Sequence, residues 1–147
     1  MPGAFVVMAK SALPGAAKTR LCPPLLPEQA ADLYVAMRAD VAAQARAASR
    51  ACGAQVVLSW AGPEAPPLDL AAAFDLVVEQ RGAHLGARIE SARSAGARAF
   101  GDPVIVMGSD APALGAERMA LAWARVEPGV VVVGPVEDGG YDCIGFF

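Results

Sequence analysis

The sequence predicts an α/β sandwich of three layers, with helices on both faces of a mostly parallel sheet. Two observations carry this reading. Short valine-rich runs recur along the chain and stop abruptly at turn-forming or charged residues, as strands buried on both faces do. Between several of them lie stretches whose apolar residues recur every three or four positions, the spacing of a helix with one buried face. With 147 residues and no interior linker or repeat, residues 1–147 read as a single domain.

Taken in order, Ala4 to Met8 is the first strand. Lys10 to Pro27 follows as a long loop, because Pro14-Gly15 and Pro23-Pro24 exclude regular structure. A loop of this length in a compact domain usually carries function. Pro27 and Glu28 open a helix reaching about Arg50, with Leu33, Tyr34, Met37, Val41, Ala45 and Ala48 on the buried face and Gly53 as its stop. Gln55 to Trp60 is the second strand, Leu68 to Ala73 a single helical turn, and Asp75 to Glu79 a weak third strand. Leu85 to Ala95 returns to helical spacing and ends near Gly96. Val104 to Met107 is the fourth strand, and a helix over Ala116 to Val126 buries Met119, Ala122, Trp123 and Val126. Val130 to Val133 is the most hydrophobic strand, and Asp142 to Phe147 the last.

Composition narrows the function. Hydrophobic residues make up 55% of the chain and charged ones 18%, which excludes disorder. The net charge of −3 and the scattered basic residues give no footprint for nucleic acid. Cys22, Cys52 and Cys143 are far apart and odd in number, so they indicate neither a zinc site nor a disulfide framework. His84 is the only histidine and has no partner nucleophile for a triad. The first ten residues are not a signal peptide, and no apolar run reaches the ~18 residues of a membrane span. The expectation is a cytoplasmic protein of open oligomeric state.

Chemistry is expected at the carboxyl edge of the sheet, where parallel strands present their ligand-binding loops. Four loops meet there. The first carries Lys10, Lys18 and Arg20, with Gly15 and Thr19 as further donors, and suits an anion. It is not a P-loop: Ala17 and Ala12 stand where that motif needs glycines. The second, Gln80 to Arg88, puts Gly82 and Gly86 at the mouth of a helix, a place for close backbone contact with an anion. The third ends the fourth strand in Gly108, Ser109 and Asp110, and a carboxylate there suits a hard divalent cation carrying phosphate. Helix capping by Ser109 or Asp110 is the simpler alternative. The fourth, Gly134 to Gly140, adds the acidic pair Glu137 and Asp138 before Gly139, Gly140 and Tyr141, although a β-turn alone would explain Asp138-Gly139.

MAKSALPGAAKTRLCPPL, QRGAHLGARI, VIVMGSDAPAL and VVVVGPVEDGGYDCIGF, in this order, resemble a family of bacterial nucleotide-diphospho-sugar transferases of GT-A-like fold, the domain of unknown function 2064. The family is similar in fold to 2-phospho-lactate guanylyltransferase. The resemblance implies that Lys18 and Arg20, with Lys10 and Gly15 in the same loop, bind the phosphates of a nucleotide. It implies that Gln80, Gly82 and Gly86 flank the nucleoside or sugar. Asp110 matches the metal-binding aspartate, for Mg²⁺ or Mn²⁺, while Glu137, Asp138, Gly139, Gly140 and Tyr141 fall on the acceptor side. His84 and Ala87 stand where the family usually has acids, and Asp142 where it usually has tyrosine. Family members continue past the equivalent of Phe147, so a C-terminally short chain is expected.

The function so implied is a metal-dependent transferase that passes the sugar of a nucleotide-diphospho-sugar to a small acceptor. Asp138 is the candidate base for the acceptor hydroxyl. One alternative is a nucleotidyltransferase joining a nucleoside triphosphate to a small molecule. Another is an inactive nucleotide-binding or interaction subunit.

Overall fold

The protein is described by a computed structural model covering residues 2–147. Six strands form one sheet: β1 Ala4–Lys10, β2 Gln55–Ala61, β3 Leu76–Glu79, β4 Val104–Gly108, β5 Val132–Pro135 and β6 Tyr141–Phe146. Their order across the sheet is β3-β2-β1-β4-β6-β5. The first four pair in parallel, and β6 runs antiparallel between β4 and β5. The expected α/β sandwich around a mostly parallel sheet is therefore present.

Alternation of side chains builds two cores from the same strands. Phe5, Val7 and Ala9 of β1 face one side, with Leu58 of β2 and Ile105 and Met107 of β4. That side is covered by α1 (Pro27–Cys52) and α4 (Gly115–Arg125), which contribute Val41, Ala45, Met119 and Ala122. Ala4 and Val6 face the other side, under Ile89 and Ala92 of α3 (Leu85–Phe100). A short helix, α2 (Leu68–Ala71), links β2 to β3. No helix among the described residues is long and apolar enough to cross a membrane.

Several expectations are corrected. The buried stripe of α1 runs through Tyr34, Arg38, Val41, Ala45 and Ala48, and Leu33 is exposed while Met37 is half-buried. The stripe turns toward Arg38 because its guanidinium is used inside the protein, donating to the Lys10 carbonyl at 3.0 Å and lying over the Tyr34 and Trp60 rings. Helix α3 continues past Ala95 to Phe100, straight through Gly96. Gly96 is a packing residue, since a Cβ there would stand 3.0 Å from a Val6 methyl and 3.3 Å from one of Val104. It lets the helix lie close on the sheet.

Asp75 precedes β3 instead of starting it. Its carboxylate accepts the Val56 N–H at 2.9 Å and pairs with Arg46 at 3.1 Å, so it seals the gap between β2 and the chain entering β3. The run from Val130 is no deeply buried strand: β5 begins at Val132 and is an edge strand, with Val131 and Val133 about half exposed. Pro135 and the bulge beside it suit an edge, where one row of backbone groups lacks partners.

Candidate functional site

Strand β1 is followed in sequence by β2 on one side, while its other neighbour is β4, reached only after α3 has crossed back. The gap between β1 and β4 is thus the switch point of the sheet, where open α/β sheets bind ligands beyond their strand ends. The two strands last pair at Met8 and Gly108. Past that register they separate, and a cleft of about 420 Å³ opens.

The cleft gathers residues from all four loops. Lys10 and Lys18 come from the first, Gln80 from the second, Gly108, Ser109 and Asp110 from the third, and Gly140 and Tyr141 from the fourth. The floor is apolar, with Met8, Val106, Ile89 and Ile144. The β5–β6 hairpin reaches this edge because β6 starts there and runs antiparallel.

Its charged centre is one pair. The Lys18 Nζ lies 3.5 Å from Asp110 Oδ2, with the lysine side chain 25% exposed and the carboxylate 58%. Lys18 sits in the left-handed region, φ 52°, just before a 3-10 turn over Thr19–Leu21. That conformation is unusual for a residue with a side chain. It is held by Leu21 N–H donating to the Lys18 carbonyl at 3.0 Å and by the buried Ala17 beside it.

Beneath the pair lies a buried polar cluster. The Tyr34 hydroxyl accepts the Lys10 N–H at 3.0 Å and shares a 2.6 Å hydrogen bond with Ser109 Oγ. Gln44, also on α1, donates to the Pro112 carbonyl at 2.6 Å and accepts the Gly115 N–H at 3.2 Å. Ser109 therefore anchors the turn while Asp110 faces the cleft.

Other predicted site residues lie outside the cleft lining. Gly15 (φ 80°) has open space around it, and Arg20 is exposed on the 3-10 turn. Gly82 shapes the turn below α3: at φ 137° a Cβ there would stand only 2.6 Å from the Arg88 nitrogen. Gly86 is in the first turn of α3, beside the His84 ring, whose Nδ1 caps the helix by accepting the Ala87 N–H at 3.2 Å. Glu137, Asp138 and Gly139 form the tip of the hairpin, and Asp138 Oδ1 accepts the Gly140 N–H at 2.9 Å.

Besides the apolar floor, three residues with polar or thiol side chains in or under the cleft are not assigned to it by sequence reasoning: Tyr34, Asp142 and Cys143. Tyr34 carries only the signal of a helix core position. Asp142 lines the cleft but is paired with Arg118 at 3.1 Å. Burial, and then the Asp142 charge, push the Cys143 thiol up to about 11. Among the described residues no group of three or more His, Cys, Asp or Glu side chains is arranged to hold a metal ion.

This architecture is similar to that of a solved protein from Desulfovibrio desulfuricans G20, provisionally named a nucleotide-diphospho-sugar transferase, at 27% identity and a TM-score of 0.81. The similarity covers 97% of this chain and 62% of that one, so this chain spans less than two thirds of that protein's length. A comparison with curated proteins gave no match. Residues 24–147 match the DUF2064 family, described as uncharacterized proteins conserved in bacteria, and the chain belongs to that family.

Proposed function

We propose that this protein is a metal-dependent transferase that binds a nucleotide-diphospho-sugar across the β1–β4 gap and passes the sugar to a small acceptor. The observation that carries the reading is the Lys18–Asp110 pair, an ammonium and a carboxylate 3.5 Å apart at the switch point of the sheet. A diphosphate with its cation would satisfy both charges, with Lys18 to hold phosphate oxygens and Asp110 to hold the cation. The similar protein of D. desulfuricans, by its provisional name, supports a nucleotide-diphospho-sugar as the ligand.

The donor set fits a cation that arrives on the ligand. Mg²⁺ keeps several waters and is commonly held by one or two carboxylates together with substrate phosphates. Asp110 offers one half-exposed carboxylate, so Mg²⁺ or Mn²⁺ would be held by it and the diphosphate jointly. When bound, such an ion neutralises the charge that collects on a departing diphosphate.

The protein's own groups divide the remaining work. Lys18 shares the leaving-group charge, and Lys10 at the end of β1 adds positive potential at the same edge. Gln80 and the apolar floor orient the sugar or nucleoside. Gly140 and Tyr141 bring the hairpin to the acceptor side. Asp138 stands at the hairpin tip outside the cleft lining, so it would take the proton only of an acceptor seated against that tip, with Oδ1 engaged by Gly140 and Oδ2 left to receive it.

The test is thermal stabilisation by UDP, GDP, dTDP and their sugars, with and without Mn²⁺, for the native chain and Asp110→Ala. Metal-dependent stabilisation of the native chain alone supports the reading. No stabilisation, or stabilisation unchanged in Asp110→Ala, refutes it. Products then separate two chemistries that use the same loops: nucleoside diphosphate marks sugar transfer, and pyrophosphate marks nucleotidyl transfer.

A further inference from the structure

We propose that Tyr34 is a positioning residue for Asp110, its hydroxyl tying the end of β1 to the end of β4 so that the carboxylate meets a cation from a fixed backbone. This role rests on the reading of Asp110 as the carboxylate that faces a metal-bearing diphosphate.

The geometry is specific. Sheet pairing between β1 and β4 ends at Met8 and Gly108, so no ladder holds Lys10 and Ser109 together. The Tyr34 hydroxyl takes over, accepting from Lys10 N at 3.0 Å and bonding Ser109 Oγ at 2.6 Å. Tyr34 is 3% exposed and Ser109 4%. Phenylalanine would fill the same apolar volume without a polar atom to desolvate, so the hydroxyl is accounted for by the bond it makes. Gln44 fixes the chain again at Pro112 by a 2.6 Å bond, which brackets Asp110 between two points held by one helix. The carboxylate itself is held only loosely, by Lys18 at 3.5 Å. Its direction is therefore set from below.

The experiment follows Mn²⁺ binding by electron paramagnetic resonance in the presence of UDP, GDP or dTDP, well below the melting temperature of every variant. Tyr34→Phe and Ser109→Ala are each expected to weaken Mn²⁺ binding with nucleotide about tenfold, and metal-free nucleotide affinity should stay within about twofold. The double variant should lose no more than Tyr34→Phe alone, since that change already removes the bond to Ser109 together with the one from Lys10. Ser109→Thr, which keeps the hydroxyl, should recover most of the loss. If Tyr34→Phe binds Mn²⁺ like the native chain while Asp110→Ala does not, the hydroxyl is structural only; the positioning role falls and the diphosphate reading stands. If the native chain binds Mn²⁺ with none of the three nucleotides, the diphosphate reading fails and takes the positioning role with it.

Discussion

Replacing Lys18 with alanine should have opposite effects on two kinds of ligand. In the free protein the lysine sits on Asp110 at 3.5 Å, with the carboxylate more than half exposed. Such a pair contributes at most about 1 kcal/mol, because water and salt screen it. Removing Lys18 should therefore cost little stability and should free Asp110 for Mn²⁺ alone, raising that affinity up to about fivefold. With a nucleoside diphosphate the balance reverses. A charge-assisted bond to phosphate is worth about 1.5–3 kcal/mol, so Lys18→Ala should weaken Mn²⁺–UDP binding by roughly 10- to 150-fold. Asp110→Ala should instead abolish the metal dependence and leave a weak metal-free affinity. Isothermal calorimetry with Mn²⁺, UDP and both together reads all three quantities. A melting scan gives an independent check: ligand at one hundred times its Kd adds about 2.7 kcal/mol, or roughly 5–11 °C for a domain of this size. If Lys18→Ala lowers Mn²⁺ affinity in the absence of nucleotide, or leaves Mn²⁺–UDP affinity unchanged, the division of roles between the two residues is wrong.

Two further predictions concern stability and reactivity. Burial raises the Asp75 carboxyl, but the Val56 N–H bond and the Arg46 guanidinium outweigh it and hold it below the ordinary carboxylate range. A group depressed in the folded state stabilises above its unfolded pKa, and that contribution is lost as pH falls through the lower folded value. Asp75→Asn should then cost about 1–2 kcal/mol in urea denaturation at pH 7 and less at pH 3, and equal losses at both would contradict the assignment. For the thiols, Cys143 is buried and pushed up to about 11, whereas Cys22 is half-buried. A thiol-disulfide reagent at pH 8 should modify Cys22 in the native protein and Cys143 only after unfolding, because the thiolate is the reactive form. Rapid native labelling of Cys143 would show that the β4–β6 region opens.

The alternation of valine runs with helical spacing is enough to read the layers and nearly every element. Those patterns reflect burial against the sheet, the dominant driving force of folding, and they repeat over many residues. The site is legible where charge and turn chemistry coincide: Lys18, Asp110 and the Gly140-Tyr141 segment do meet at one cleft. What stays hidden depends on single contacts. The valines from 130 look the same to any hydropathy pattern whether their strand is central or at the edge. Gly96 reads as a helix stop, although its missing side chain is what brings α3 onto Val6 and Val104. Arg38 and Tyr34 occupy positions one turn apart on α1, and only the sheet below them shows that a guanidinium and a hydroxyl both grip Lys10.

Paramagnetic broadening by Mn²⁺ with a nucleoside diphosphate locates the binding place of a metal-bearing diphosphate most directly. Backbone amide signals of Gly108, Ser109, Asp110 and Lys18 should broaden first, and the effect should vanish in Asp110→Ala. Broadening centred on Asp142 or on the Glu137–Asp138 hairpin tip, or broadening that survives Asp110→Ala, would contradict binding of the cation at Asp110.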